Sequence, residues 1–171
     1  MDYFKTWKEV MRNPSHFFRE MPKTGGYFYP VVFAAGSAAI STSLHLLFTE
    51  EPESVREFFS MSPMAAAVFM VTVSILALFL DATGLHIVYK ALGGTGTYEG
   101  TARFVLYSSA SASLIWVPLI GWIFGIYQMY LYIVGGKFVH NISMERSTLA
   151  LFLFILLLVV FVALAILSGL I

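Results

Sequence analysis

The sequence predicts an all-α integral membrane protein: five transmembrane helices preceded by an interfacial amphipathic N-terminal helix. Three observations carry that prediction. Of the 171 residues 58% are hydrophobic and only 12% charged, where soluble domains run at roughly 45–50% and 25%. No Asp, Glu, Lys or Arg occurs in residues 24–49, 58–80, 104–136 or 147–171. All but one of the bases fall on one side of the spans these runs define. Ten Lys and Arg balance ten Asp and Glu, so no basic excess marks a nucleic-acid partner. The absence of cysteine excludes disulfides, thiolate metal sites and cysteine nucleophiles.

The leader, residues 1–27, is read as a cytoplasmic interfacial segment. Tyr3, Phe4, Trp7, Val10 and Met11 share one helical face, with Lys5, Lys8, Glu9 and Arg12 mostly off it. Such a helix lies in the membrane interface, aromatics toward the acyl chains and bases toward anionic headgroups. Asn13-Pro14 opens a second short helix through Phe17 and Phe18. Tyr3, Phe4, Trp7, Phe17 and Phe18 are the expected anchor. The leader carries no recognisable cleavable signal.

The first span is expected at about 28–49, with small residues Ala34, Ala35, Ala38 and Ala39 suited to close helix contact. After the acidic loop 50–63 the second span runs about 64–91. The third charge-free run, Phe104 to Gly136, is too long for one span. A single helix would measure about 50 Å against a hydrocarbon core of about 30 Å. Its middle reads WVPLIGW, where Pro118 and Gly121 favour a break. It therefore divides into spans of about 98–117 and 120–140. The fifth span, about 148–171, is apolar all round, as suits a helix bathed in lipid. Five spans place nine bases on the N-terminal side and Arg56 alone on the other. By the positive-inside rule the N-terminus is cytoplasmic and the C-terminus outside. Trp116 and Trp122 then flank an outer turn, where amphipathic rings prefer to sit.

Ionisable groups within spans are functional-site hypotheses by default, because each is costly to insert. Asp81, His86, Lys137 and His140, with Gln128 as an uncharged companion, form the expected intramembrane polar cluster. Asp81 and Lys137 each lie about 26 Å along their helices from the outer side, which predicts an ion pair between them. His86 stands about 140° round the helix from Asp81, so one helix cannot supply both to a metal. Neither a cysteine set nor an H-E-x-x-H pattern is present, and no metal or cofactor is expected. The GGTGT stretch at Gly93–Thr97 lacks the lysine of a phosphate loop. It reads as a helix stop at Gly93 and Gly94, with Thr97 as the next N-cap and Glu99 in the first turn. Gly121-x-x-x-Gly125 and the YSSASAS run at Tyr107–Ser113 read as helix-packing surfaces.

His86, the Gly93-Gly94-x-Gly96 loop, the Thr101-x-Arg103 helix start, the Pro118-x-x-Gly121 hairpin and the Gly136-x-x-x-His140-x-x-Ser143 exit together resemble the Yip domain family. These are the Rab (Ypt)-GTPase-interacting proteins and their prokaryotic relatives, of which this chain is similar to a short prokaryotic-type member. Trp7, Pro14, Phe17 and Phe18 resemble the leaders of prokaryotic members, and the likeness spans nearly the whole chain. It implies a five-helix membrane domain at residues 28–171 with a cytoplasmic N-terminus. The long cytosolic region of eukaryotic members and its Asp-Leu-Tyr-Gly-Pro motif have no counterpart, so the fold is implied and the trafficking role is not. The chain is accordingly expected to be a non-enzymatic scaffold or adaptor in a prokaryotic plasma membrane. Its expected partners are the lipid bilayer and another membrane protein or a second copy. The alternative is a small transporter, channel or lipid-translocating protein using Asp81, Gln128, Lys137 and the inner-side histidines.

Overall fold

The computed structural model describes residues 2–48 and 63–169. Within them the chain is all-α, with seven helices and no strand. They are α1 (Tyr3–Arg12), α2 (Pro14–Glu20), α3 (Phe28–Phe48), α4 (Pro63–Ala91), α5 (Tyr98–Ala112), α6 (Gly121–His140) and α7 (Met144–Leu167). The acidic residues of the expected outer loop, Glu50, Glu51, Glu53 and Glu57, lie outside the described residues, as does Arg56.

Each boundary has a local cause. Asp2 caps α1 by accepting from the Lys5 amide at 3.2 Å, and Pro14 opens α2 at a position needing no N–H donor. α4 stops where Gly93 takes φ +85°, which lets the Gly94 amide return to the Tyr89 carbonyl at 2.8 Å. Thr97 caps α5 through the Gly100 amide at 3.2 Å. Ser143 caps α7 through the Arg146 amide. α5 ends at Ala112, short of the expected 117. Residues 113–120 form successive turns, because Pro118 cannot continue a helical ladder. The turn is tight enough that a Cβ on Gly121 would stand 1.8 Å from the Ile115 carbonyl oxygen.

α5 is the axis of the bundle, in contact with α1, α3, α4 and α6. Every residue from Gly100 to Ser111 is buried, so the small polar run needs no lipid-compatible face. Around this axis burial is lopsided along the bundle. In α4 the core residues are Leu78, Ala82, Leu85, Val88 and Tyr89, whereas Met64, Val68 and Leu76 are exposed. In α7 Ala150 and Leu151 are buried and Phe152, Leu156, Phe161 and Leu164 are exposed.

Among the described residues two helices, Met64–Ala91 and Met144–Leu167, are long and apolar enough to cross a membrane, where five spans are expected. α5 has only 15 residues, about 22 Å at 1.5 Å per residue, and its small and hydroxyl side chains lower its hydropathy.

The leader also departs from the expected arrangement. Its apolar face packs on protein. Tyr3 stacks on Phe33 at 4.9 Å and contacts the Ser37 hydroxyl at 3.0 Å. The Trp7 indole donates to the Ala110 carbonyl at 2.9 Å, and Tyr127 donates to the Met11 carbonyl at 2.7 Å. Successive turns of α1 thus touch α3, α5 and α6, so it lies across the bundle. Burial pushes the Tyr3 phenol above its ordinary range, with the Ser37 contact opposing. Phe18 is fully buried against Phe104, and Phe17 meets the Tyr107 ring edge-on. Of the five expected anchors Phe4 alone is largely exposed, at 76%. The aromatic face fits a groove between α3, α5 and α6, where protein contacts replace the acyl chains.

Candidate functional site

Four elements meet below the α5 axis: the end of α4, the loop 92–97, the start of α5 and the end of α6. Their meeting point is the Thr101 hydroxyl. His86 Nδ1 lies 2.9 Å from it and His140 Nε2 2.8 Å from it. Thr101 also donates to the Thr97 carbonyl of its own helix at 3.1 Å. A hydroxyl has one proton to give and two lone pairs, so both imidazoles donate when that proton goes to Thr97. His140 is fully buried and stacks on Tyr89 with ring centroids 4.6 Å apart, while His86 meets Tyr98 edge-on. The Tyr89 hydroxyl reaches the Tyr132 carbonyl at 3.1 Å and lies 3.3 Å from the Ser147 hydroxyl.

The glycines of the loop are fixed by this histidine. A Cβ on Gly94 or Gly96 would approach His140 Nδ1 to 2.8 or 2.9 Å. Between them the Thr95 amide donates to the His140 carbonyl at 3.0 Å, and Asn141 donates to the Thr95 hydroxyl at 3.1 Å. The loop is thereby laid on the end of α6. One turn earlier on the same face of α6, Gly136 admits the Tyr89 ring, whose hydroxyl would stand 2.2 Å from an added Cβ.

Asp81 belongs to a second group. Its Oδ2 accepts from the Tyr132 hydroxyl at 3.2 Å, and Gln128 donates to that same hydroxyl at 3.1 Å. The expected Asp81–Lys137 ion pair does not form. Lys137 Nζ lies 5.4 Å from the Phe138 ring centre. Asp81 is level with Tyr132, five residues and about 7.5 Å of rise before Lys137. Equal counting from the outer ends fails because α4 extends well beyond the packed part of the bundle.

Arg103 forms a third group, 6% exposed. One guanidinium nitrogen donates to the Gly26 carbonyl and lies 3.9 Å from Glu99 Oε1. Glu99 in turn accepts from the Gly26 amide at 2.6 Å. The Gly25-Gly26 turn thus closes over an ion pair whose arginine is buried and whose glutamate is partly exposed. Pro118 and Gly121 stand apart from all three groups, in the hairpin turn, and His45 packs on Trp116 at 4.1 Å.

The cluster expected from sequence therefore divides: His86 with His140 through Thr101, and Asp81 with Gln128 through Tyr132. Tyr89, Tyr132 and Gly26 are the members that sequence reasoning missed. Tyrosine is frequent in this chain, with nine copies, and no spacing separates these two from the rest. Among the described residues no three His, Asp or Glu side chains gather as for a metal ion. What the arrangement does chemically is hold helices together by polar groups on different elements.

A model of the Yip1 domain family matches residues 8–167. No curated protein and no solved structure matches the chain.

Proposed function

The chain belongs to the Yip1 domain family, and from that premise we propose that it is a non-enzymatic membrane scaffold or adaptor of a prokaryotic plasma membrane. In this reading α3 to α7 form the five-helix membrane unit, with the N-terminus cytoplasmic and the C-terminus outside. α4 and α7 carry the lipid contact. α5 stays shielded, which explains how a short polar helix can belong to such a unit. Its partners are the bilayer and another membrane protein or a second copy of the chain.

The observation that carries the reading is the mutual engagement of the polar groups. Thr101 takes both histidines, Tyr132 takes Asp81 and Gln128, and Gly26 takes Arg103. Groups tied to each other across helices act as structural hydrogen bonds, whereas a transport path needs them turned to a substrate. The test is flux of protons, ions and fluorescent lipids in liposomes holding wild-type or Asp81→Asn protein. The scaffold reading expects no flux above empty liposomes from either. Flux that disappears in the Asp81→Asn protein, with folding retained, would replace it with a transporter.

A further inference from the structure

At the elbow between α1 and α2 a cleft of about 430 Å3 opens beside α6. It is lined by Arg12, Asn13, Ser15, His16, Arg19 and Tyr130. Two guanidiniums, an imidazole, an amide and hydroxyls make a donor-rich lining suited to a phosphate. Among the described residues no carboxylate lies within ion-pair distance of Arg12 or Arg19. The Arg19 guanidinium is steadied over the Phe138 ring, 5.0 Å from its centre. The elbow itself is pinned by Tyr127, which donates to the Met11 carbonyl and packs on Tyr130 at 5.6 Å.

One side of the cleft continues into apolar surface. Ile123, Ile126 and Tyr130 are exposed at 47%, 58% and 39%, and their spacing of three and four residues puts them on one face of α6. The depth suits a headgroup. α4 measures about 42 Å from Met64 to Ala91 at 1.5 Å per residue, some 12 Å longer than the hydrocarbon core. Counted inward from Met64, the core ends near Gly84. Asp81 is hydrogen-bonded to Tyr132, so Tyr130 stands about 7–8 Å inside the cytoplasmic edge of that core, and Phe138, under the Arg19 guanidinium, about 4–5 Å beyond it.

We infer that this cleft binds the phosphate headgroup of an anionic phospholipid, whose acyl chains lie along Ile126 and Ile123. The inference rests on the membrane seating proposed above. Arg12 and Arg19 hold the phosphate oxygens, Asn13 and Ser15 supply neutral donors, and Tyr130 marks the passage from headgroup to chain.

The test is native mass spectrometry of the full chain in detergent, where no charged bilayer surface contributes. Phosphatidylglycerol is expected to be retained at one copy per chain, and phosphatidylcholine about tenfold less. Arg12→Gln with Arg19→Gln should lower phosphatidylglycerol retention about tenfold, whereas Lys5→Gln with Lys8→Gln, off the cleft, should leave it within about twofold. If the glutamine protein does not fold, Arg12→Lys with Arg19→Lys carries the test. It keeps charge, loses the planar fork and should retain several-fold less lipid. Equal loss in the Lys5 and Lys8 protein, equal retention of phosphatidylcholine, or unchanged retention in either arginine variant would overturn the inference. Complete displacement by an equal concentration of inorganic phosphate would assign the cleft to a free anion and overturn the lipid. A flux result leaves these outcomes untouched, so the two readings fail separately.

Discussion

The Tyr132 phenol donates to Asp81 Oδ2 at 3.2 Å, and this bond ties α4 to α6 at the level where the packed part of the bundle gives way to its exposed apolar part. Gln128, one turn earlier on α6, donates to the same phenol oxygen. Asp81 therefore has a partner on another helix without needing a cation.

Tyr132→Phe removes the shared hydroxyl and strands an acceptor on α4 and a donor on α6. Interhelical hydrogen bonds in membrane bundles are worth about 0.6 kcal/mol on average and up to about 1.7. The expected loss is about 1–2 kcal/mol of unfolding free energy, since both neighbours lose a bond. Asp81→Asn keeps an oxygen that can accept from Tyr132 and should cost less. Denaturant titration in mixed micelles checks the order of the two.

Thr101→Val keeps the shape and removes the hydroxyl between His86 and His140. Burial leaves His140 no water to turn to, so the loss should reach about 2–3 kcal/mol. Thr101→Ser retains the hydroxyl and should stay within about 1 kcal/mol. Thermal unfolding followed by size-exclusion chromatography separates these outcomes; equal loss in both would mean that the methyl group, not the hydroxyl, matters.

The glycines divide by what faces them. Gly136→Ala drives a methyl into the Tyr89 ring, and overpacking of this kind costs about 1–3 kcal/mol. Gly121→Ala should be worse, because the obstacle is the Ile115 backbone carbonyl. Gly125→Ala meets only the tip of Ile115 at 3.6 Å, and alanine is the better helix former by about 1 kcal/mol, so it should be neutral or stabilising. Yield and melting temperature of the three proteins decide.

That contrast shows what the sequence could reveal. Gly121-x-x-x-Gly125 reads as one motif, yet one glycine serves a chain reversal and the other faces loose contact. The helices were legible because charge-free runs and cap residues act locally: Gly93 ends one helix and Thr97 begins the next where their chemistry demands. The division of the polar cluster was not, since it depends on the tilt and offset of α4 against α6. Depth counted along each helix from an assumed surface could not place Asp81 beside Tyr132. Nor could periodicity say whether the aromatic face of α1 meets lipid or protein, because both are apolar.

That last ambiguity can be resolved by experiment. Trp7 fixes α1 through its indole bond to Ala110 and a second contact, 3.2 Å, to the Ser113 hydroxyl. Trp7→Ala removes both and opens a void under the helix, a loss of about 3–5 kcal/mol for a large aromatic. That exceeds what so short a helix can offset by itself, so α1 should detach. Lys5, Lys8 and Arg12 then become accessible to trypsin in detergent, at a rate well above wild type. Phe4→Ala removes an exposed ring and should leave that rate unchanged. Equal sensitivity in both proteins would mean that α1 is held by the amphiphile around it. Sensitivity confined to Trp7→Ala would mean that the leader is a docked part of the bundle, and that the cleft it forms with α6 persists outside a bilayer.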